Sequence, residues 1–435
     1  MNFYSIQNKS HRVNFETATL RGQAPDKGLY FPESLPVVPK ELIADLKILS
    51  EAEIAFRVMA PYVGDSLPDE KLFEIVSDTV NFPIPLVPVT ERISSLELYH
   101  GPTLAFKDVG ARFMSRCLGY FLRNEERHVT VLVATSGDTG GAVANGFYDV
   151  PGVDVVILYP KGRVSPVQEK QLTTLGRNIT ALEINGSFDD CQQMVKQAFT
   201  DAEINRERFL TSANSINVAR WLPQQIYYFL AYRQWREPQE SPVVCVPSGN
   251  FGNICAGILA KITGLPLGHF IAACNINDVV SSYLQDQKWE PKEAVATLSN
   301  AMDVGNPSNF VRIIELFHHQ FPALKNNLSA YTVTDKETVE TIRKVFGTHQ
   351  YLLDPHGAVA YLAMEKYLQA NSGKKGFILE TAHPVKFPEA VEKAISRKVP
   401  VPDGLAGLMK KEKRSLEMEP VFSDLKDFLI VGQRR

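Results

Sequence analysis

The sequence predicts an α/β protein built from two open, mostly parallel sheets, with a small N-terminal domain ahead of them. Three observations carry that expectation. Short apolar runs recur from about position 129 onward, each run ends in a turn of small or polar residues, and the stretches between runs carry helical periodicity. No fixed-period internal repeat competes with this reading.

Residues 1–90 read as a lead-in domain. They hold the turn-rich PDKGLYFPESLPVVPKELIADL and amphipathic segments near 50–59 and 69–80. Pro83, Pro85 and Pro88 remove ladder donors and disfavour helix, so NFPIPLVPVT is expected to be an extended connector. The buried-strand runs follow: VTVLVA (129–134), DVVILYP (154–160), NITALEI (178–184), PVVCV (242–246), HFIAAC (269–274) and GFILET (376–381). After the third, Cys191, Met194, Val195, Ala198 and Phe199 fall at i, i+3, i+4, i+7 and i+8, the stripe of a helix packed on a sheet. Residues 105–210 are expected to form a smaller unit and 91–104 with 211–400 a larger one. The charged, weakly patterned 401–435 is expected to be peripheral.

Composition narrows the function. A chain of 435 residues with 44% apolar and 22% charged residues buries a core without disulfide or metal staples. Lys and Arg total 46 against 49 Asp and Glu, a net charge of −3. No basic excess points to nucleic acid or a membrane surface, so a small-molecule partner is expected. Five widely spaced cysteines without a C-x-x-C pair read as reduced thiols in a cytoplasmic protein. No apolar run approaches the ~18 residues of a membrane span, and the N-terminus carries no signal-like apolar core.

Lys107 is the first candidate for chemistry. If HGPTLAFKDVGARFMSRCLGYF is helical from about 105, Lys107 falls in line with Gly110, Ala111, Met114 and Leu118 on the apolar arc. A lysine held there loses solvation, its pKa drops, and the neutral amine becomes a nucleophile toward a carbonyl. The alternative is a lysine at a helix start whose ammonium reaches water. Two glycine-rich turns each follow a strand: TSGDTGG (135–141) and PSGNFGN (247–253). A strand, a small-residue turn and a helix present free N–H groups to an anion, with Ser136, Thr139 and Ser248 adding hydroxyls. Either turn could also be a plain connector. Neither fits the dinucleotide or P-loop fingerprint, which disfavours a nicotinamide dehydrogenase. Polar groups gather at three further strand or loop ends: Asn214, Ser215, Asn217 and Arg220; Lys161, Arg163 and Ser165; Thr381 and His383. Strand ends are where open α/β sheets bind ligands. His356 is placed for a site or for structure, whereas the pair His318 and His319 reads as a solvated helix end. No metal-ligand or nucleophilic-serine motif is present.

Nearly the whole chain resembles the threonine synthase family of pyridoxal-phosphate enzymes, the tryptophan synthase β-like, fold type II group. The segments that carry the likeness are DKGLYFP, HGPTLAFKD, ATSGDTG, ILYPKGRVSPVQEKQ, SANSIN, VPSGNFGN, LSNAMDVGNPSN, DPHGAVAY and TAHPVKF. The resemblance implies that the cofactor lies between the two α/β units of a 91–435 catalytic core, the smaller unit being mobile. It implies Lys107 as the lysine that holds the cofactor, and Gly249, Asn250, Phe251, Gly252 and Asn253 as the cradle of its phosphate. Thr381 would bond the pyridine nitrogen. Ser136, Gly137, Asp138 and Thr139 would grip the substrate carboxylate, and Asn214, Ser215 and Arg220, with Lys161 or Arg163, the substrate phosphate. Many relatives in the wider group carry Asn at the place of Asp138, so this aspartate must be protonated or turned away from the cofactor. The implied reaction converts O-phospho-L-homoserine and water to L-threonine and phosphate, a carbon–oxygen lyase chemistry, by a monomer or weak homodimer. Two rivals share the scaffold: a phospho-lyase or dehydratase releasing a keto acid, and a non-catalytic binder, against which the retained Lys107 argues.

Overall fold

The structure, a computed structural model, describes residues 1–124, 128–237 and 239–431. By compactness the chain divides into two units. One comprises Met1, Phe31–Phe106 and Trp221–Pro400; the other comprises Asn2–Tyr30, Lys107–Arg220 and Val401–Arg435.

The first unit is built on six strands. In spatial order they are Leu328–Thr332, Phe270–Cys274, Val243–Pro247, Gly376–Glu380, Ile93–Glu97 and Leu86–Pro88. All neighbours run parallel except the last pair. The proline-rich 83–90 segment, expected to be a connector, therefore contributes an antiparallel edge strand; Pro88 is tolerated because an edge leaves one ladder side unused. The three central strands at 243, 270 and 376 are buried along their whole length, because helices cover both faces. Helix Glu51–Val63 starts in a capping box between Ser50 and Glu53 and buries Ile54, Ala55, Val58, Met59, Tyr62 and Val63. Its Tyr62 hydroxyl donates to Gln225 Oε1 at 3.2 Å.

The second unit carries five parallel strands in the order Leu416–Met418, Ile179–Ile184, Val153–Pro160, Val129–Ala134 and Phe209–Thr211. Helix Phe188–Thr200 is boxed by Ser187 and Asp190 and buries Cys191, Met194, Val195 and Ala198, as its stripe predicts. The N-terminal hairpin of Asn2–Ser5 and Arg12–Asn14 leads into helix Phe15–Arg21, where Phe15 meets Phe113 and Phe121 edge-on. The lead-in is thus shared: residues 2–30 pack here and the later helices pack in the six-strand unit.

The 401–435 stretch is not peripheral. Its Leu416–Met418 adds a parallel strand beside Ile179–Ile184, and helix Phe422–Val431 sinks Leu425 and Leu429 into the same apolar cluster as Cys191 and Met194. Its charged composition concealed two leucines four residues apart, one helical face. The last four residues, 432–435, lie outside the described residues. His318 and His319 follow helix Phe310–Leu316 with φ of 50° and 59°, and the exposed His319 reaches Glu315 at 3.0 Å. Among the described residues no helix is long and apolar enough to cross a membrane.

Candidate active site

In the six-strand sheet the chain runs from Val243–Pro247 outward to the strands at 270 and 328, then returns to Gly376–Glu380 on the other side. Such a reversal opens a crevice at the carboxyl ends of the two strands flanking it. Val243 is in register with Gly376 and Cys245 with Ile378, so the 248–253 loop and Thr381 leave neighbouring strands side by side.

The loop is shaped by close approaches. A Cβ on Gly249 would sit 2.7 Å from Met302 Cα and 2.8 Å from the Ala301 carbonyl, so only glycine fits. Ser248 spends its hydroxyl on the Val246 carbonyl at 2.8 Å and is not the free donor its sequence position suggested. Asn250 accepts from the Ser308 N–H at 2.6 Å through Oδ1. Phe251 is left-handed, with φ of 59°, and precedes helix Gly252–Thr263, whose start no side chain caps. Asn253 is buried; its Oδ1 accepts from Tyr228 at 2.7 Å, while its Nδ2 has no hydrogen-bond partner among the described residues. An uncapped helix start, a glycine-only cradle and an orphaned amide donor together fit a phosphate group.

Thr381, buried at the end of its strand, accepts from the Phe106 N–H at 2.9 Å through its carbonyl. The Phe106 carbonyl accepts from the Tyr227 hydroxyl. Both polar groups of the Phe106 peptide are therefore pinned, and Lys107 is the next residue. Helix Lys107–Phe121 begins at Lys107 rather than at 105, because Leu104 is left-handed and Ala105 bridges to Ala382. Lys107 is half-buried, and Gly110, Ala111, Met114 and Leu118 below it are buried.

Behind Thr381 lies a buried acidic cluster that sequence reasoning missed. Asp354 Oδ1 accepts from His356 Nδ1 at 2.9 Å and from the His356 and Gly357 N–H groups, capping helix Pro355–Ala370. Its Oδ2 accepts from the Ala382 N–H at 3.1 Å. Glu380 Oε1 accepts from the Asp354 N–H at 2.6 Å. Burial, and then the neighbouring Asp354, hold the Glu380 carboxyl well above the usual carboxylate range. His383 is pushed down to about 4 by burial and then by His100, and its Nδ1 accepts from the Val385 N–H. His356 serves this structural cluster.

The five-strand sheet has its own reversal. The chain runs from Val129–Ala134 to the strands at 153 and 179, then returns to Phe209–Thr211 on the other side. Loops 135–139 and 212–215 thus leave neighbouring parallel strands. Thr135 Oγ1 accepts from the Gly137 and Gly140 N–H groups at 3.0 and 2.8 Å. Gly137, with φ of 136°, precedes helix Asp138–Gly146, again without a side-chain cap. Ser136 and Thr139 are half-buried. Asp138 is buried and accepts from Gln168 Nε2 at 2.9 Å. Gln168, unremarked in the sequence, is fixed by a capping box with Ser165, which makes Ser165 a helix cap. The structure thus turns the Asp138 carboxylate toward Gln168.

Arg220 is 4% exposed, and its Nη1 donates to the Ala213 carbonyl at 2.5 Å. A Cβ on Gly110 would lie 2.7 Å from the Arg220 carbonyl, so Gly110 allows the close approach. Asn214 and Ser215 are half-buried on the turn that precedes the short helix of Arg220, whereas the fully buried Asn217 is used structurally, donating to the Thr19 carbonyl at 2.9 Å. Lys161 forms an exposed ion pair with Glu417 at 2.8 Å, and Arg163 is exposed.

Comparison with known proteins identifies the family. A family model for pyridoxal-phosphate dependent enzymes covers residues 93–380, and models of the threonine synthase N terminus and C-terminal region cover 2–80 and 357–429. Threonine synthase of Haemophilus influenzae is 44% identical over 431 residues, spanning 99% of this chain and all of that one. The chain belongs to the threonine synthase family. Solved threonine synthase structures agree: that from Escherichia coli superposes with a TM-score of 0.93 at 43% identity, covering both chains completely. A pyridoxal-phosphate-bound threonine synthase from Brucella melitensis gives 0.93 at 35% identity, also over both whole chains. Maize serine racemase, 16% identical with a TM-score of 0.53 over 76% of this chain, shares the fold alone. The family's cofactor is pyridoxal 5'-phosphate, and the 249–253 loop fits its phosphate.

Proposed function

We propose that this member of the threonine synthase family converts O-phospho-L-homoserine and water to L-threonine and phosphate. The observation that carries the reading is the five-strand reversal: the uncapped helix start at 136–139 and the turn bearing Asn214 and Ser215, which leads into the short helix carrying Arg220, leave neighbouring strands. A carboxylate and a phosphate are the two anionic ends of an amino-acid phosphate, and these two neighbouring loops suit them.

Lys107 would hold the cofactor. Bound pyridoxal phosphate supplies a conjugated ring that takes up negative charge from substrate carbons. The Lys107 amine, tethered by the pinned Phe106 peptide, would then remove the proton on the substrate α carbon and next one on the β carbon. Thr381 would offer the pyridine nitrogen a neutral hydroxyl. Arg220, Asn214 and Ser215 would hold the phosphate as it leaves the γ carbon; a proton would then return to the γ carbon, water would add at the β carbon, and a proton would return to the α carbon. Ser136, Gly137 and Thr139 would keep the carboxylate fixed throughout, with Asp138 held off by Gln168.

The test is direct. The purified holoenzyme is incubated with O-phosphohomoserine, and amino acids, keto acids and phosphate are quantified. Threonine and phosphate in equal amounts are expected. Keto acid in place of threonine would reassign the protein as a phospho-lyase, and no phosphate release would refute the substrate.

A further inference from the structure

A buried cation stands behind the cofactor-phosphate loop. Arg312, on helix Phe310–Leu316, is 0% exposed. Taking a guanidinium out of water is costly unless its donors are used. Burial pushes its pKa down to about 9, which leaves it charged at neutral pH. Its Cζ lies 4.3 Å from the centre of the Trp221 ring. Its Nη1 donates to Asn309 Oδ1 at 2.7 Å. Asn309 is fully buried too, and its backbone N–H and Nδ2 both donate to the Asn250 carbonyl, at 3.3 and 3.1 Å. That carbonyl immediately precedes left-handed Phe251 and the first N–H groups of helix Gly252–Thr263. Phe310, next to Asn309, packs edge-on against Phe251 at 5.7 Å.

An asparagine amide can sit either way round, but a guanidinium has donors only. It therefore draws the carbonyl end of Asn309 toward itself and turns the NH2 end toward Asn250. A neutral residue that both donates and accepts would leave that choice open. A positive charge in a low-dielectric interior also acts over a longer range than one in water.

We infer that Arg312 is a positioning residue for the cofactor phosphate: through Asn309 it sets the 249–253 turn, and its buried charge favours a dianion there. The inference rests on reading that loop as the phosphate cradle. The test is equilibrium dialysis of the full chain against pyridoxal phosphate and, separately, phosphate-free pyridoxal. Arg312→Gln should weaken pyridoxal phosphate binding roughly 10- to 100-fold, the range for losing a hydrogen bond to a charged group, and leave pyridoxal within about 3-fold. Arg312→Lys, still charged and donor-only, should recover at least half of the logarithmic loss. Equal losses for both ligands, no loss for either, or a lysine variant as weak as the glutamine one would overturn the inference. Asn309→Ala cuts the same relay at its next link and should show the same selective loss; if Arg312→Gln does not fold, this variant decides. Gly252→Val separates the two readings. If it too fails to discriminate the ligands, the cradle itself is misplaced; if it discriminates and the Arg312 and Asn309 variants do not, only the relay falls.

Discussion

Asp354 joins more of the six-strand unit than its size suggests, and Asp354→Ala measures how much. The carboxylate caps helix Pro355–Ala370, meets His356 Nδ1 and receives the Ala382 N–H, with no exposure to solvent. Losing an aspartate cap costs about 1 kcal/mol, and leaving the buried Ala382 N–H unpaired costs about 1–3 kcal/mol more. Removing the negative charge beside Glu380 offsets part of this. A net loss of about 2–3 kcal/mol is expected. Urea unfolding of the apo protein reads it as a lower midpoint at unchanged slope. Asp354→Asn keeps one acceptor for the helix but turns an NH2 toward the Ala382 N–H, so it should fall between wild type and alanine. Because Ala382 follows Thr381, both variants should also shift the bound cofactor's absorbance. A loss below about 0.5 kcal/mol for the alanine variant, the size of a surface substitution, would refute the claim that this side chain ties the helix to the strand end.

Three other outcomes are expected. Borohydride reduction of the yellow holoenzyme followed by peptide mapping should place the pyridoxyl group on Lys107, and label on another lysine would reject the assignment. Arg220→Ala should lower kcat/KM by about 30- to 1000-fold, the equivalent of roughly 2–4 kcal/mol for one partner of a buried charge pair, with the cofactor absorbance unchanged; near-normal kcat/KM would remove Arg220 from the site. His383 has a depressed folded pKa of about 4 against an ordinary 6.5, so the unfolded chain binds its proton first as pH falls. Its contribution to stability is complete above about 6.5 and is lost toward about 4. The stability gap between wild type and His383→Asn should therefore move against wild type across that window; a pH-independent gap would show that the histidine does not titrate as described.

The strands legible in the sequence are those buried on both faces, where a continuous apolar run has no competing explanation. Val129–Ala134 matches its expected span to the residue, and the runs at 154, 178, 242, 269 and 376 shift by one residue at most at either end. Ile93–Glu97 escaped notice because ISSLE is half polar: Ser95 and Glu97 are buried at the junction with Gly376–Glu380. Leu328–Thr332 and Leu416–Met418 are half-exposed edges, with no clear period. In the site, the glycine turns could be read locally, because strand, small residues and helix follow one another in the chain. Gln168, Tyr227 and Asp354 could not. Their partners Asp138, Phe106 and Glu380 lie 30, 121 and 26 residues away, and nothing in the local pattern of a glutamine, tyrosine or aspartate announces a contact at that range.

The tail strand at Leu416–Met418 bears on how the molecule is made. The five-strand unit draws on three separate stretches, 2–30, 107–220 and 401–435, and the six-strand unit occupies the chain between them. During synthesis the strand Ile179–Ile184 emerges more than two hundred residues before its outer neighbour. Until residues 416–429 have emerged, that ladder is an open edge and the cluster around Met194 lacks Leu425 and Leu429. An unfinished edge beside bare apolar surface is the kind of template that recruits other chains. Forms that lack residues 416–429 are therefore expected to be more aggregation-prone than the whole chain, because that stretch covers both the edge and the cluster.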